Sequence, residues 1–256
     1  MKNLKFTISY KGTAYNGYQS QPCGNTIQDN IEKVLKLLLN QKVVINGCSR
    51  TDAGVHAREY VFNVKYDESL SRIDINGILK GSNALLPDDI AVLNCEEADE
   101  GFHARFDSKG KEYFYLFDTS REKGVFTNDL ALPYHYEMDI AKMSAAAEII
   151  KGEHDFAAFC RAEAKEHLKT TVRTVYDVRI EQKDNFTLIY VSGSGFLHNM
   201  VRIIAGTLIY VNEGKRNLDD VKSAIESGNR EELCLPFPCF RFLSHFLHRQ
   251  DFFCPH

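Results

Sequence analysis

The 256-residue sequence has no run of about eighteen to twenty apolar residues, the length a bilayer-spanning helix needs. Its first residues, MKNLKFTISYKG, enter a strand pattern without the apolar core of a signal peptide, so a cytoplasmic location is expected. The seven cysteines are an odd number and are scattered, with neither the spacing of a disulfide framework nor a CxxC pair, and they are expected as free thiols. Neither a dinucleotide fingerprint nor a P-loop occurs. Low-complexity segments and visible sequence repeats are absent as well. Positive charge is not in excess: 31 Lys and Arg face 35 Asp and Glu, a formal net charge of -4. That balance argues against coating a polyanion by charge alone, but it leaves open a basic face for RNA.

What is present is a chain with 44% hydrophobic residues, long enough to bury a sizeable core as one large domain or two small ones. Leu4 to Tyr10 alternates as a half-buried strand, and Lys11 to Pro22 reads as a long loop able to reach a ligand. Thr26 and Asp29 resemble a capping box. Behind them Ile27, Ile31, Val34, Leu35 and Leu38 recur at helical spacing, predicting a helix to about Asn40. A strand at Val43 to Gly47 follows, then a charged loop, then a strand at Tyr60 to Tyr66. With a helix at Ile73 to Lys80 and a strand at Ile90 to Cys95, the order is β-α-β-β-α-β, which resembles a ferredoxin-like layer of helices on an antiparallel sheet.

The second half offers a strand at Glu112 to Phe117, an irregular crossover to Tyr136, and a helix at Ile140 to Lys151. A hairpin, Val172 to Gln182 and Phe186 to Ser192, turns at Lys183-Asp184, and helices follow at Leu197 to Val211 and Leu218 to Glu226. The expected class is α+β, with two ferredoxin-like or RRM-like halves, residues 1–105 and 106–256, whose antiparallel sheets join around a central catalytic cleft.

Three stretches concentrate chemistry. GCSRTDAGVHAR sets Arg50, Asp52, His56 and Arg58 on one short segment between strands. An Asp before Ala-Gly is commonly a turn residue capping nearby amides; here the anchoring strands and the small Ala53 and Gly54 equally suit a carboxylate that meets a large flat ligand. In GFLHNMVRIIAGTL an almost wholly apolar helix carries one cation, Arg202, which either snorkels to a surface or needs a carboxylate partner. GFHARFDSKGKEYFY interleaves aromatic and basic residues, as surfaces that stack bases do and as a tyrosine-covered sheet face also does.

Taken together and in this order, GCSRTDAGVHA, FHARFDSKGKEYFY and FLHNMVRIIAGTL resemble the signature segments of the TruA family of tRNA pseudouridine synthases. YKGTAYNGYQSQP, Ile27-Gln28, HDFAAF at His154 to Phe159 and Arg173-Thr-Val175 are also similar to family positions, so the likeness runs from about Leu4 to Glu226. The resemblance implies isomerisation of uridine to pseudouridine in the anticodon arm of tRNA, at positions 38, 39 and 40 in the best-known branch. That reaction is redox-neutral, and no cofactor is expected.

By the same resemblance, Asp52 is the catalytic carboxylate, a nucleophile at C1' or a base at C2', ionised on either route. The family pairs this Asp with the arginine of FLHNMVR, here Arg202, which would offset its desolvation. Tyr113 is placed on the uracil or ribose and is a candidate acceptor of the C5 proton, with Tyr115 beside it as a substrate-binding residue. Arg50 resembles the residue that helps extrude the target nucleotide, and His56 and Arg58 are assigned to loop structure and RNA contact. Lys109, Lys111, Arg161, Lys165, Lys169 and Arg173 are candidate phosphate contacts. The partners implied are tRNA and a second copy of the chain in a homodimer, with no membrane. The same chemistry on another RNA, or tRNA binding without turnover, are the alternatives.

After about residue 232 the likeness fails. The family's terminal Gly-Leu-x-Leu-like apolar strand, which lines the uracil pocket, is replaced by LCLPFPCFRFLSHFLHRQDFFCPH, readable as a diverged edge strand, a disordered end or the product of a shifted reading frame. Cys234, Cys239, His245, His248 and Cys254 in this tail are too compactly spaced for a C2H2 finger and include no CxxC, so no metal is expected.

Overall fold

Alternation along the first strand dictates the first layer. In β1 (Lys2–Tyr10), Leu4, Phe6, Ile8 and Tyr10 are buried at every second position, the period of a pleated strand. The computed structural model describes residues 1–122, 124–160 and 168–233, together with the backbone of 242–245. This chain divides into two compact units, Met1–Lys109 with the segment from Leu243, and Gly110–Phe242.

In the first unit, α1 (Ile27–Leu39) starts at a reciprocal capping box. The Asp29 amide donates to Thr26 Oγ1 at 3.1 Å and the Thr26 amide donates to Asp29 Oδ2 at 3.3 Å. Its buried stripe is Ile27, Ile31, Val34, Leu35 and Leu39, and Asn40 ends it in the left-handed region. The helix therefore turns Leu39 inward and leaves Leu38 only partly covered, against the sequence reading. After β2 (Ile45–Gly47) come β3 (His56–Tyr66), α2 (Ile75–Leu85) and β4 (Ile90–Ala98).

β1 lies between β4 and β3, β2 pairs with β3, and every one of these pairs is antiparallel. The order β4-β1-β3-β2 is the ferredoxin-like arrangement expected of the β-α-β-β-α-β sequence. Phe6 and Phe62 are direct cross-strand partners whose rings stack at 4.7 Å, an arrangement that contributes about 0.5–1.5 kcal/mol beyond area burial. The backbone of β10 (Phe242–His245) pairs parallel with β3 through Leu243–His56, Ser244–Ala57 and His245–Glu59. Since β1 holds one edge of β3, β2 and β10 share the other, β2 toward its end and β10 at its start. Part of the divergent tail is thus a strand paired parallel to β3, and it does not lie at an edge of the sheet; its remainder lies outside the described residues.

The second unit repeats this logic in different residues. β5 (Lys111–Asp118) pairs antiparallel with β9 (Phe186–Gly193), β9 with β8 (Val172–Lys183) and β8 with β7 (Gly152–Asp155), while β6 (Leu132–Pro133) adds parallel to β5. The adjacency β5-β9-β8 matches β1-β3-β2 in the first unit. The β8–β9 hairpin turns through Asp184, which adopts φ 53°, with Asn185 before Phe186. α3 (Ile140–Ile150) packs on β8 and against α4 (Met200–Asn212) and α5 (Leu218–Ser227). Among the described residues no helix is long and apolar enough to cross a membrane.

Candidate active site

The segment around Asp52 is fixed by its neighbours on both sides. The Cys48 amide donates to the Val61 carbonyl at 3.0 Å, closing the entry to the loop. The Thr51 carbonyl accepts from the Tyr18 amide at 3.1 Å, and the Thr51 and Tyr10 hydroxyls share a buried hydrogen bond of 2.9 Å. Immediately after Asp52, the chain turns: the Val55 amide donates to the Asp52 carbonyl at 3.2 Å, and Gly54 adopts φ 79°. Asp52 itself is exposed, as are Arg50 and Ala53, whereas Thr51, Gly54 and Val55 are buried. The backbone is therefore anchored while the carboxylate and the Arg50 side chain remain on the surface.

Beneath the loop sits a cluster of tyrosines. Tyr18 and Tyr60 stack at 4.1 Å, and Tyr10 lies 5.8 Å from Tyr60 and 6.4 Å from Tyr18. Tyr60 Oη donates to the Ser49 carbonyl at 2.5 Å. Burial pushes the Tyr18 and Tyr60 phenols well above their ordinary range, so both stay neutral. The segment after β1 backs the Asp52 loop: a Cβ at Gly12 would fall 2.0 Å from the Val55 carbonyl oxygen. Gly17, at φ 89°, would bring one within 2.8 Å of the Thr51 carbonyl oxygen.

β3 begins earlier than its alternation indicates, so His56 and Arg58 lie on the strand and not on the loop. The cause is visible at its first residue. His56 is buried and its Nδ1 accepts the Gly12 amide at 3.1 Å, while Ala57 pairs with Tyr10. Arg58 is exposed. The packing of the tyrosines and Thr51 against the loop was not legible in the sequence pattern, because Tyr60 reads there as one more apolar strand position and Tyr18 as part of a polar loop.

Within the second unit, Tyr113 and Tyr115 are two apart on β5 and therefore share a face. Tyr113 is 8% exposed and meets Phe196 edge-on at 5.4 Å; Tyr115 is fully buried, 6.1 Å from Phe117. On the opposite face Phe114 packs against its cross-strand partner Tyr190, over which the Arg179 guanidinium sits at 4.0 Å. Arg202 occupies the first turn of α4, half-buried, with Nη1 donating to Asn199 Oδ1 at 2.6 Å. Asn199 holds φ 65° at the helix start, which orients its side-chain oxygen as an acceptor for this cation. Met200, Val201 and every residue from Ile203 to Ile209 in α4 are buried, so Arg202 is a half-buried cation within an otherwise buried stretch of the helix.

A family model described as tRNA pseudouridine synthase matches residues 146–239. A tRNA pseudouridine synthase A 2 of Clostridium perfringens is 41% identical over 238 residues, covering 92% of this chain and 96% of that protein. The tRNA pseudouridine synthase A of Bacillus subtilis is 44% identical over 230 residues, covering 89% and 91%, and that of Ruminiclostridium cellulolyticum 42% over 231 residues, covering 90% and 92%. The chain belongs to the tRNA pseudouridine synthase A family. For this member of the family, the tyrosine cluster gives the RTDAGVHA loop a rigid base.

Of the candidate phosphate contacts, Lys109 and Lys169 are exposed and Lys111 is half-buried. Arg173 turns Nη1 onto the Thr170 and Val172 carbonyls at 3.1 and 2.6 Å. Arg161 and Lys165 lie outside the described residues. Among the described residues no group of three or more His, Cys, Asp or Glu is arranged to hold a metal ion, and the side chains of the tail's cysteines and histidines fall outside that description.

Proposed function

We propose that this protein converts uridine to pseudouridine in the anticodon arm of tRNA, at positions 38 to 40. The observation that carries the reading is the near-full-length likeness to synthases of that name, joined to an exposed Asp52 on a loop fixed from beneath. The reaction breaks the C1'–N1 bond, turns the uracil and joins C1' to C5; the C5 proton leaves and N1 gains one. No oxidant, reductant or cofactor enters this balance.

Asp52 is the catalytic carboxylate and acts ionised, as nucleophile at C1' or base at C2'. Arg202 supplies the counter-charge that keeps it ionised once RNA excludes water. Tyr113 packs against the flipped nucleotide and accepts the C5 proton, with Tyr115 beside it in substrate binding. Arg50 fills the space the nucleotide vacates, and His56 and Arg58 hold the loop and contact RNA. The catalytic Asp loop belongs to an N-terminal half, 1–105, and the tyrosine strand and arginine helix to a C-terminal half, 106–256. The protein works in the cytoplasm as a homodimer. A rigid site suits this chemistry, since a displacement of about 1 Å can lower a rate about 100-fold.

Tritium release from tRNA transcripts labelled at uracil C5 tests the proposal directly. Wild-type protein is expected to release tritium, while Asp52→Ala and Asp52→Asn bind the same tRNA without release. Wild-type protein that binds tRNA and releases nothing would refute the activity. Binding should weaken steeply as salt rises, because phosphate contacts release counterions; a flat salt dependence would count against a phosphate-reading surface.

A further inference from the structure

The GFHARFDSKGKEYFY stretch, ambiguous in the sequence, is divided by the fold into two parts with opposite surroundings. Its second part becomes β5, where Tyr113, Phe114 and Tyr115 are all buried. Its first part is a surface turn that leaves Phe106 75% exposed. A phenyl ring held in water gains nothing for folding, so its support is informative.

That support is unusually firm for a surface turn. The Phe106 and Asp107 amides both donate to the His103 carbonyl at 3.0 Å, and the His103 amide donates to Asp107 Oδ2 at 2.7 Å. Two buried asparagines of the sheet fasten the turn from below. Asn3 Nδ2 donates to the Asp99 and Phe102 carbonyls at 2.9 Å, and Asn63 Oδ1 accepts the Ala104 amide at 3.0 Å. Asn3 and Asn63 also bond each other at 2.9 Å. Above this base the His103 imidazole packs on the Phe106 ring at 4.3 Å, and the Arg105 guanidinium stands 6.0 Å from the ring centre, with both Arg105 and Lys109 exposed.

We propose that Phe106 is a stacking platform for one nucleobase of the RNA substrate, with Arg105 contacting the adjoining phosphate. This rests on the activity proposed above and adds a binding residue to it. Size and charge select the occupant. A single aromatic ring offers at most about 150–250 Å², the scale of one base and well below the roughly 800 Å² per partner of a stable protein interface. Its exposed neighbours are charged, not apolar, and a cation beside a free aromatic face is the combination that stacks a base and neutralises its phosphate. The platform is remote from the Asp52 loop: Asn63, which fastens the turn, lies seven residues beyond His56 on β3, about 23 Å along the strand. It therefore serves affinity and register, not the chemical step.

The experiment compares wild type, Phe106→Ala, Phe106→Tyr and Arg105→Ala by tRNA affinity, by tritium release at saturating tRNA and by thermal unfolding. Phe106→Ala is expected to bind tRNA about five- to thirty-fold more weakly, with kcat and melting temperature unchanged. Phe106→Tyr should restore binding, and Arg105→Ala should reduce the salt slope of binding by about one. Unchanged affinity in Phe106→Ala beside an active wild type overturns the platform alone, as does a lowered melting temperature that accounts for the loss. A changed oligomeric state with unchanged affinity assigns the ring to protein contact and overturns it too. Wild type that binds tRNA without tritium release refutes the activity, while the affinity ratio still decides the platform.

Discussion

The hydroxyls of Tyr10 and Thr51 meet at 2.9 Å inside the protein, one residue before the exposed Asp52. Neither group has water to fall back on, since Tyr10 is 4% and Thr51 8% exposed. Removing either hydroxyl breaks this buried hydrogen bond, at a cost of about 0.5–1.5 kcal/mol. Tyr10→Phe and Thr51→Val should each destabilise the protein within that range and lower kcat about 10- to 100-fold through a loosened loop. The double variant should lose less than the sum, and denaturant unfolding of all three with wild type measures the coupling. Strictly additive losses would mean that the two hydroxyls act independently.

Gly12 is the sharper test of how closely the loop is backed. An added methyl would lie 2.0 Å from the Val55 carbonyl oxygen, a backbone atom that cannot rotate away. Gly12→Ala should therefore shift the Asp52 loop, destabilising the protein by about 1–3 kcal/mol and depressing tritium release more than tRNA binding. Gly101→Ala is the matched control, because nothing lies within 4 Å of its Cβ, and it should stay within about 0.5 kcal/mol of wild type.

These two sites show what periodicity reveals and what it hides. The elements of both halves were legible: the capping box at Thr26 and Asp29, the alternation of β1 and the hairpin around Asp184 each follow from local pattern. The Asp52 loop was legible through its density of charge and small residues. What lay hidden was long-range. Tyr18 is 42 residues from Tyr60 yet stacks on it, and no local period records that pairing. His56 belongs to β3 because its imidazole accepts the amide of Gly12, a contact set by how β1 ends. The aromatic run at 102–117 could not be divided into surface and core until the sheet was in place, since Phe106 and Phe114 are alike in composition and opposite in exposure.

The cysteines predict a graded reactivity. Cys23 is exposed, whereas Cys48, Cys95 and Cys160 are buried. Burial pushes the Cys95 thiol up to about 12, so almost none of it is thiolate at neutral pH. Iodoacetamide applied to native protein at pH 7.5 should label Cys23 quickly and leave Cys48, Cys95 and Cys160 unmodified until denaturant is added. Peptide mapping by mass spectrometry reads the order, and native labelling of Cys95 would show that the first sheet opens locally.

Acid should weaken the fold through Asp118, at the end of β5. Burial alone would raise its pKa, but the Ser120 hydroxyl and amide, at 2.5 and 3.0 Å, and the Thr127 hydroxyl, at 3.3 Å, stabilise the ionised form and bring it below the ordinary value. A carboxylate whose folded pKa is depressed adds stability that is complete above its unfolded value, about 3.9, and is lost as pH falls through the folded value. Asp29 in the α1 capping box is lowered in the same direction, so it adds to the same acid limb: burial opposes the charge and hydrogen bonds from Ser20 and Thr26 outweigh it. Melting temperature should accordingly change little between pH 6 and 8 and fall below about pH 4. Asp118→Asn should start about 1–2 kcal/mol less stable at pH 7 and show a shallower acid decline, since it removes one group whose protonation drives it. A decline as steep as that of wild type would mean that Asp118 keeps an ordinary pKa in the fold.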